Sequence, residues 1–366
     1  MTTSSKPRIA LWDNARFALI VLVVVAHAVS TARSDTALGF GLYAFVYLFH
    51  MPAMILLSGL FSRPETDLRG VRSTIQLIVT WGLWEGIWAV IRFAVEGRTP
   101  GSSFLVGPAW TLWFLVTLAT MRIMLPFLAR LRHPLLVSIG LALGAGLLPG
   151  IGGDFSASRT LCFLPFFVAG WLIRDRGWLA GEWFTTPSRG LRAGAWAVLG
   201  AVALGFALVP GLREFWRIDR WLTWRDDFAW LFANAPIGEW QPDSWAGIAL
   251  GGLLVRAALL LAAAVLTLAV LIVVPRGHGV ATEWGTRTLA VYLLHGPIIY
   301  ALRESGAVAA ISGLGWPGVL VLVAIGAAVA VVLSGAWVSR LARPLIAPSV
   351  DRIWAPEAAP RRTARG

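Results

Sequence analysis

Ten apolar runs, each near the length of a membrane-crossing helix, constrain this chain more than any other feature. They fall at roughly 13–32, 38–61, 73–95, 109–129, 134–150, 160–174, 192–210, 253–274, 284–302 and 316–339. About 20 apolar residues cross a bilayer core as a helix, which satisfies its own backbone where no water can. Only 14% of the 366 residues are charged and the mean hydropathy is +0.72, whereas a soluble domain averages about 25% charged. The expected fold is therefore all-α, a polytopic bundle of about ten transmembrane helices spanning residues 1–350. A basic, disordered cytoplasmic tail is expected over 351–366.

Charge sets the expected orientation. With the N-terminus in the cytoplasm, the inner segments hold 20 of the 31 basic residues. The outer segments hold eight: Arg33, Arg98, Arg159, Arg213, Arg217, Arg220, Arg225 and Arg303. Arg92, Arg122 and Arg256 lie within spans. The positive-inside bias thus places both termini in the cytoplasm, in a cell (inner) membrane, and the net charge of +12 reads as topology rather than nucleic-acid binding. The basic start, first apolar run and Ala26-His27-Ala28 imitate a secretory signal. Cleavage is not expected, because further apolar runs follow and the first carries its own polar set. Cys162 is the single cysteine, which excludes an intrachain disulfide and a multi-cysteine metal site.

The polar groups inside the runs carry the chemistry. Asp13, Asn14, Arg16 and His27 sit in the first run, and ionisable groups at such depth are costly enough to be functional candidates. Arg16 and His27 are eleven residues apart, on one helix face and about 16 Å apart along the axis. Counting about 1.5 Å per residue from the cytoplasmic side puts His27 near 21 Å, His50 near 20 Å and His295 near 16 Å deep. Three of the five histidines therefore converge on one layer. At the inner surface Arg16, Arg63, Arg69 and Arg72 form a basic cluster suited to phosphates. Glu85 is expected to pair with Arg92 or Arg122 and fix helix packing. A phosphorylated head at the arginines and a reactive group about 16–20 Å away at His27 fit coenzyme A with its pantetheine arm. A neutral histidine there could take a proton from an acceptor hydroxyl as general base.

Two features leave alternatives open. The outer segment 211–245 holds six tryptophans, and Phe215, Ile218, Leu222, Trp221, Trp224, Phe228 and Leu231 recur at helical spacing. It reads as an amphipathic interfacial helix or as an aromatic platform for a sugar. Ala- and Gly-rich faces at 140–153 and 322–336 could pack helices within one chain or between copies in a homo-oligomer. A proton-coupled transporter or exporter of a glycan or small metabolite is the rival function. The lack of an internal repeat counts against it.

The stretch WDNARFALIVLVVVAHAVS (12–30) resembles the opening of the transmembrane acyltransferase-three family, in which ten residues lie between an arginine and a histidine. The fucose 4-O-acetylase-like branch is the most similar. FVYLFHMPAMILLSGLFSR (45–63), Arg69-Gly-Val-Arg72, LWFLVTL (112–118) and LAVYLLHGPII (289–299) resemble the family's later motifs in order and spacing. The resemblance implies acyl transfer, by default acetyl, from cytoplasmic acyl-coenzyme A to a hydroxyl of a carbohydrate or related metabolite, without a metal. It implies His27 as catalytic base or acyl relay, with Arg16, Arg69 and Arg72 contacting the donor. Arg63 belongs to the same basic cluster, and His50, Trp113 and His295 would lie near the reaction centre. No esterase-like domain follows the last run, so acceptor handling is expected to use the bundle and its outer loops.

Overall fold

The computed structural model describes residues 9–351, apart from Thr66 and Pro210. Only Asp351 of the expected tail falls among the described residues. Each of the ten apolar runs folds as a helix: α1 Ala10–Ala28, α2 Ala37–Leu60, α3 Leu68–Glu96, α4 Trp113–Leu128, α5 Pro134–Gly144, α6 Ala157–Arg176, α7 Arg189–Leu208, α8 Trp245–Val273, α9 Thr288–Glu304 and α10 Trp316–Leu333. Seven are long and apolar enough to cross a membrane, while α4, α5 and α9 have 16, 11 and 17 residues. The chain is an all-α, multi-pass membrane protein.

The bundle is ordered by how much of each helix it hides. α2 is buried along most of its length, and α1 and α6 nearly as much. α3 and α7 expose most of their apolar surface, as helices facing lipid do. Close backbone approach locks α2 to α6. A Cβ on Gly59 would meet the Phe167 carbonyl oxygen at 2.0 Å, and one on Gly170 the Leu56 carbonyl oxygen at 2.0 Å. Two helices without side chains at their crossing gain van der Waals contact that lipid cannot replace. The 322–336 face is partly used within the chain, since a Cβ on Gly326 would lie 2.8 Å from Val25 Cα.

Asn14 serves the fold. Its amide donates to the carbonyls of Pro275 (2.8 Å) and Gly277 (3.0 Å), and its oxygen accepts from Thr282 (2.7 Å). The Thr282 hydroxyl also accepts from Gly279 N–H at 3.0 Å. A buried polar side chain in a span is thereby satisfied, and the loop between α8 and α9 is tied to α1.

The segment 211–245 departs from the expectation of one amphipathic interfacial helix. It forms three short helices, Leu212–Phe215, Ile218–Trp221 and Phe228–Asn234, in place of one amphipathic helix. Trp224 takes a left-handed backbone with φ of 54°, which ends any continuous helical stripe. Trp221 and Trp224 are buried in the protein core, and only Trp240 and Trp245 are largely exposed. Asp219, also buried, receives both a 2.8 Å and a 2.9 Å bond from Arg217 and faces Arg33 at 3.4 Å. The bidentate bond holds the Arg217 guanidinium above its ordinary pKa. Arg256 of α8, fully buried, donates to Cys162 Sγ and to the Asp226 carbonyl and covers the Phe228 ring at 4.6 Å. The segment is a packed cap pinned to α6 and α8.

Candidate active site

α1 ends one residue after His27, inside the protein, because its last carbonyls find local partners. The His27 carbonyl accepts the Ser30 hydroxyl at 2.8 Å, and the Val29 and Ser30 amides fold back on Val25 and His27. His50 and His295, by contrast, lie in the middle of α2 and α9. The three converge as the depth arithmetic predicts. His27 Nδ1 and His295 Nε2 are 3.0 Å apart, and His27 and His50 line one cavity of about 490 Å³.

Hydrogen-bond roles follow from the partners. A carbonyl only accepts, so His295 Nδ1, 3.0 Å from the Val291 carbonyl, carries a hydrogen. With both rings neutral, His295 Nε2 is then a bare acceptor and His27 Nδ1–H must donate to it. This leaves the lone pair of His27 on Nε2. His50 repeats the pattern: Nδ1 donates to the Val46 carbonyl at 2.7 Å and leaves Nε2 bare.

Aromatic rings hold this arrangement in place. Trp110 stacks on His27, with centroids 5.1 Å apart and planes 25° apart, and Trp88 meets Trp110 edge-on. Sequence reasoning missed Trp110, although its spacing of three from Trp113 was visible. Trp113 also lines the cavity, stacked on Phe163 with Arg159 4.8 Å above its ring. Glu85 forms no ion pair with Arg92 or Arg122 among the described residues. Its carboxylate accepts from Trp81 Nε1 (2.9 Å) and from Ala109 N–H (2.8 Å). Glu85 thus clamps the strap 109–112 that delivers Trp110, while Arg122 donates to Ser73 at 3.0 Å. The Tyr292 hydroxyl donates to the Thr111 carbonyl in the same strap.

The basic cluster lies toward the other end of α1. A second cavity of about 700 Å³ is lined by Arg63, Arg69 and Arg122 together with Phe61 and the carboxylates of Glu65 and Asp67. Arg16 bonds Asp13 at 3.1 Å and lies 4.1 Å over the Phe61 ring, so it flanks this chamber. Arg72 does not line it and is paired with Asp351 at the surface. The two chambers are about 16 Å apart along α1. On the face that Arg16 and His27 share, Ile20 and Val23 are buried between them. Among the described residues no group of three or more His, Cys, Asp or Glu is placed to hold a metal ion.

Helices long and apolar enough to cross a membrane thus surround a histidine pair beside one chamber, with a second chamber bearing arginines about 16 Å away along α1. The acyltransferase-3 family model, described as an acyltransferase domain, matches residues 9–335, which takes in all ten helices. The chain belongs to this family and is a membrane acyltransferase. No curated protein and no solved structure matches it.

Proposed function

We propose that the protein moves an acyl group, by default acetyl, from cytoplasmic acyl-coenzyme A to a hydroxyl of a carbohydrate or related metabolite reaching the bundle from outside. The observation that carries this reading is the Val291–His295–His27 hydrogen-bond chain, which leaves Nε2 as the bare base of a histidine that lines the cavity. The donor's phosphates sit at Arg16, Arg63 and Arg69, joined by Arg122, where guanidinium groups give charge-assisted bonds. The pantetheine arm reaches along α1 toward His27, and Ile20 and Val23, buried between the chambers, move apart to admit it and bring the thioester to His27. His27 Nε2 takes the hydroxyl proton as the acceptor oxygen attacks the thioester carbon. A C–O bond forms, the C–S bond breaks, and the thiolate recovers the proton from His27. His295 orients His27 and shares its developing positive charge, and His50 accepts a hydrogen bond from the acceptor. The resemblance to the fucose 4-O-acetylase-like branch supports a sugar hydroxyl as acceptor, and the distribution of arginines supports both termini in the cytoplasm.

The test is acetyl-coenzyme A binding to purified protein by calorimetry, with Arg69→Ala beside the wild type. Saturable binding weakened by about 1.5–3 kcal/mol, the usual loss of a charged hydrogen bond, is expected. Absence of binding to the folded protein, by acetyl and longer acyl donors alike, would remove the donor assignment.

A further inference from the structure

The reaction as drawn uses the histidines of the His27 cavity and leaves its charged wall without a task. That wall carries Arg33, Arg159 and Arg303, with Asp35 as the single carboxylate among its described lining residues. Asp35 is itself engaged, accepting the Ser312 hydroxyl. Each arginine is held by its base or its flat face. Arg33 leans on the Tyr43 ring at 4.6 Å with Nε 3.4 Å from Asp219. Arg159 donates Nε–H to the Thr223 carbonyl at 3.0 Å and covers Trp113. Arg303 lies 5.5 Å over Trp110. Among the described residues, the terminal nitrogens of Arg159 and Arg303 make no hydrogen bond.

Orientation does not explain these groups. The positive-inside bias concentrates arginine at the end where Arg16, Arg63 and Arg69 stand, whereas these three line the cavity nearer the opposite end. A surplus of positive charge in a semi-enclosed cavity is unfavourable by itself and attracts anions. Fixed guanidinium forks with free ends are suited to carboxylate or phosphate oxygens, and the tryptophan faces beside them to a sugar ring.

Resting on the acyl-transfer reading, we infer that the acceptor is an anionic carbohydrate. Its carboxylate or phosphate is held by Arg303 and Arg159, while a nearby hydroxyl meets His27. Trp110 touches both Arg303 and His27, so the anion and the reacting hydroxyl are separated by no more than one or two sugar rings. Arg33, tied to Asp219, is the positioning member that joins the cap to the cavity wall.

The test compares equilibrium binding of methyl glucuronide, methyl glucoside 6-phosphate and methyl glucoside to the purified full-length protein. Wild type is measured beside Arg303→Gln, Arg159→Gln and the charge-conserving Arg303→Lys, with thermal melting to confirm folding. At least one anionic glycoside should bind about tenfold more tightly than the neutral one. That ratio should collapse in Arg303→Gln and recover in part in Arg303→Lys. Preference for the glucuronide alone identifies a uronic-acid acceptor, and preference for the phosphate alone a phosphoglycan. Equal binding of all three, a ratio unmoved by the glutamine variants, or no binding of either anion overturns the inference. Acetyl-coenzyme A binding and turnover, measured on the same wild-type preparation, report separately on the acyl-transfer reading.

Discussion

His27 depends on His295 for its tautomer, and His295 on the Val291 carbonyl, so the two rings act as one unit. Replacing His27 by Ala is expected to lower transfer by about 10²–10⁴-fold, the range for a general base, with the protein still inserted. His295→Ala should lower turnover less and leave the donor KM near its wild-type value. The double variant should be no slower than His27→Ala alone, because members of one catalytic unit are not additive. Steady-state kinetics on the three variants read this directly, and additive losses would separate the rings. Both histidines were legible in the sequence from depth alone. Their contact was not, because helical periodicity places residues along an axis and leaves interhelical distance to packing. Glu85 was misread for a related reason. Its partners are an indole and a backbone amide, Trp81 and Ala109, and no charge pattern announces those. Loss of that clamp in Glu85→Ala should cost about 1–3 kcal/mol of stability and loosen Trp110 from His27. A lower melting temperature together with reduced turnover would bear this out.

At the scale of elements, α2 brings His50 and α6 brings Phe163, the ring on which Trp113 of α4 stacks, to one cavity, and the α2–α6 crossing fixes the first two. Gly59→Leu or Gly170→Leu drives a side chain into a backbone carbonyl, and overpacking of that kind costs about 1–3 kcal/mol or more. Thermal unfolding in detergent should show both variants well below wild type. A wild-type melting temperature would mean that the helices do not approach so closely. The ten apolar runs were readable because bilayer thickness fixes a helix length. The cap over 211–245 was not, because a periodic stripe of Phe, Ile, Leu and Trp is equally compatible with a lipid surface and a protein interior. The turn at Trp224, the Arg217–Asp219 bond and buried Arg256 decide for the interior. Arg72 is a similar case. Its motif with Arg69 implies a donor contact, but it pairs with Asp351 at the surface. Arg69→Ala should therefore weaken acetyl-coenzyme A binding more than Arg72→Ala, and calorimetry of both ranks them.

For the whole molecule, the account requires two chambers that face opposite sides of a membrane. Cys162 is buried, so an added surface cysteine can be labelled selectively. Ser305→Cys, beside the His27 cavity, should react with an impermeant thiol reagent in intact cells. Thr185→Cys, near the arginine end, should react only after permeabilisation, and the reverse pattern would invert the topology. The apolar layer at Ile20 and Val23 makes the division of labour testable in one assay. That assay is transfer of labelled acetyl from acetyl-coenzyme A by the protein in nanodiscs, wild type against His27→Ala, with donor binding measured on the same samples. The variant is expected to bind donor as the wild type does and to transfer its label about 10²–10⁴-fold more slowly. Undiminished turnover by His27→Ala would contradict this.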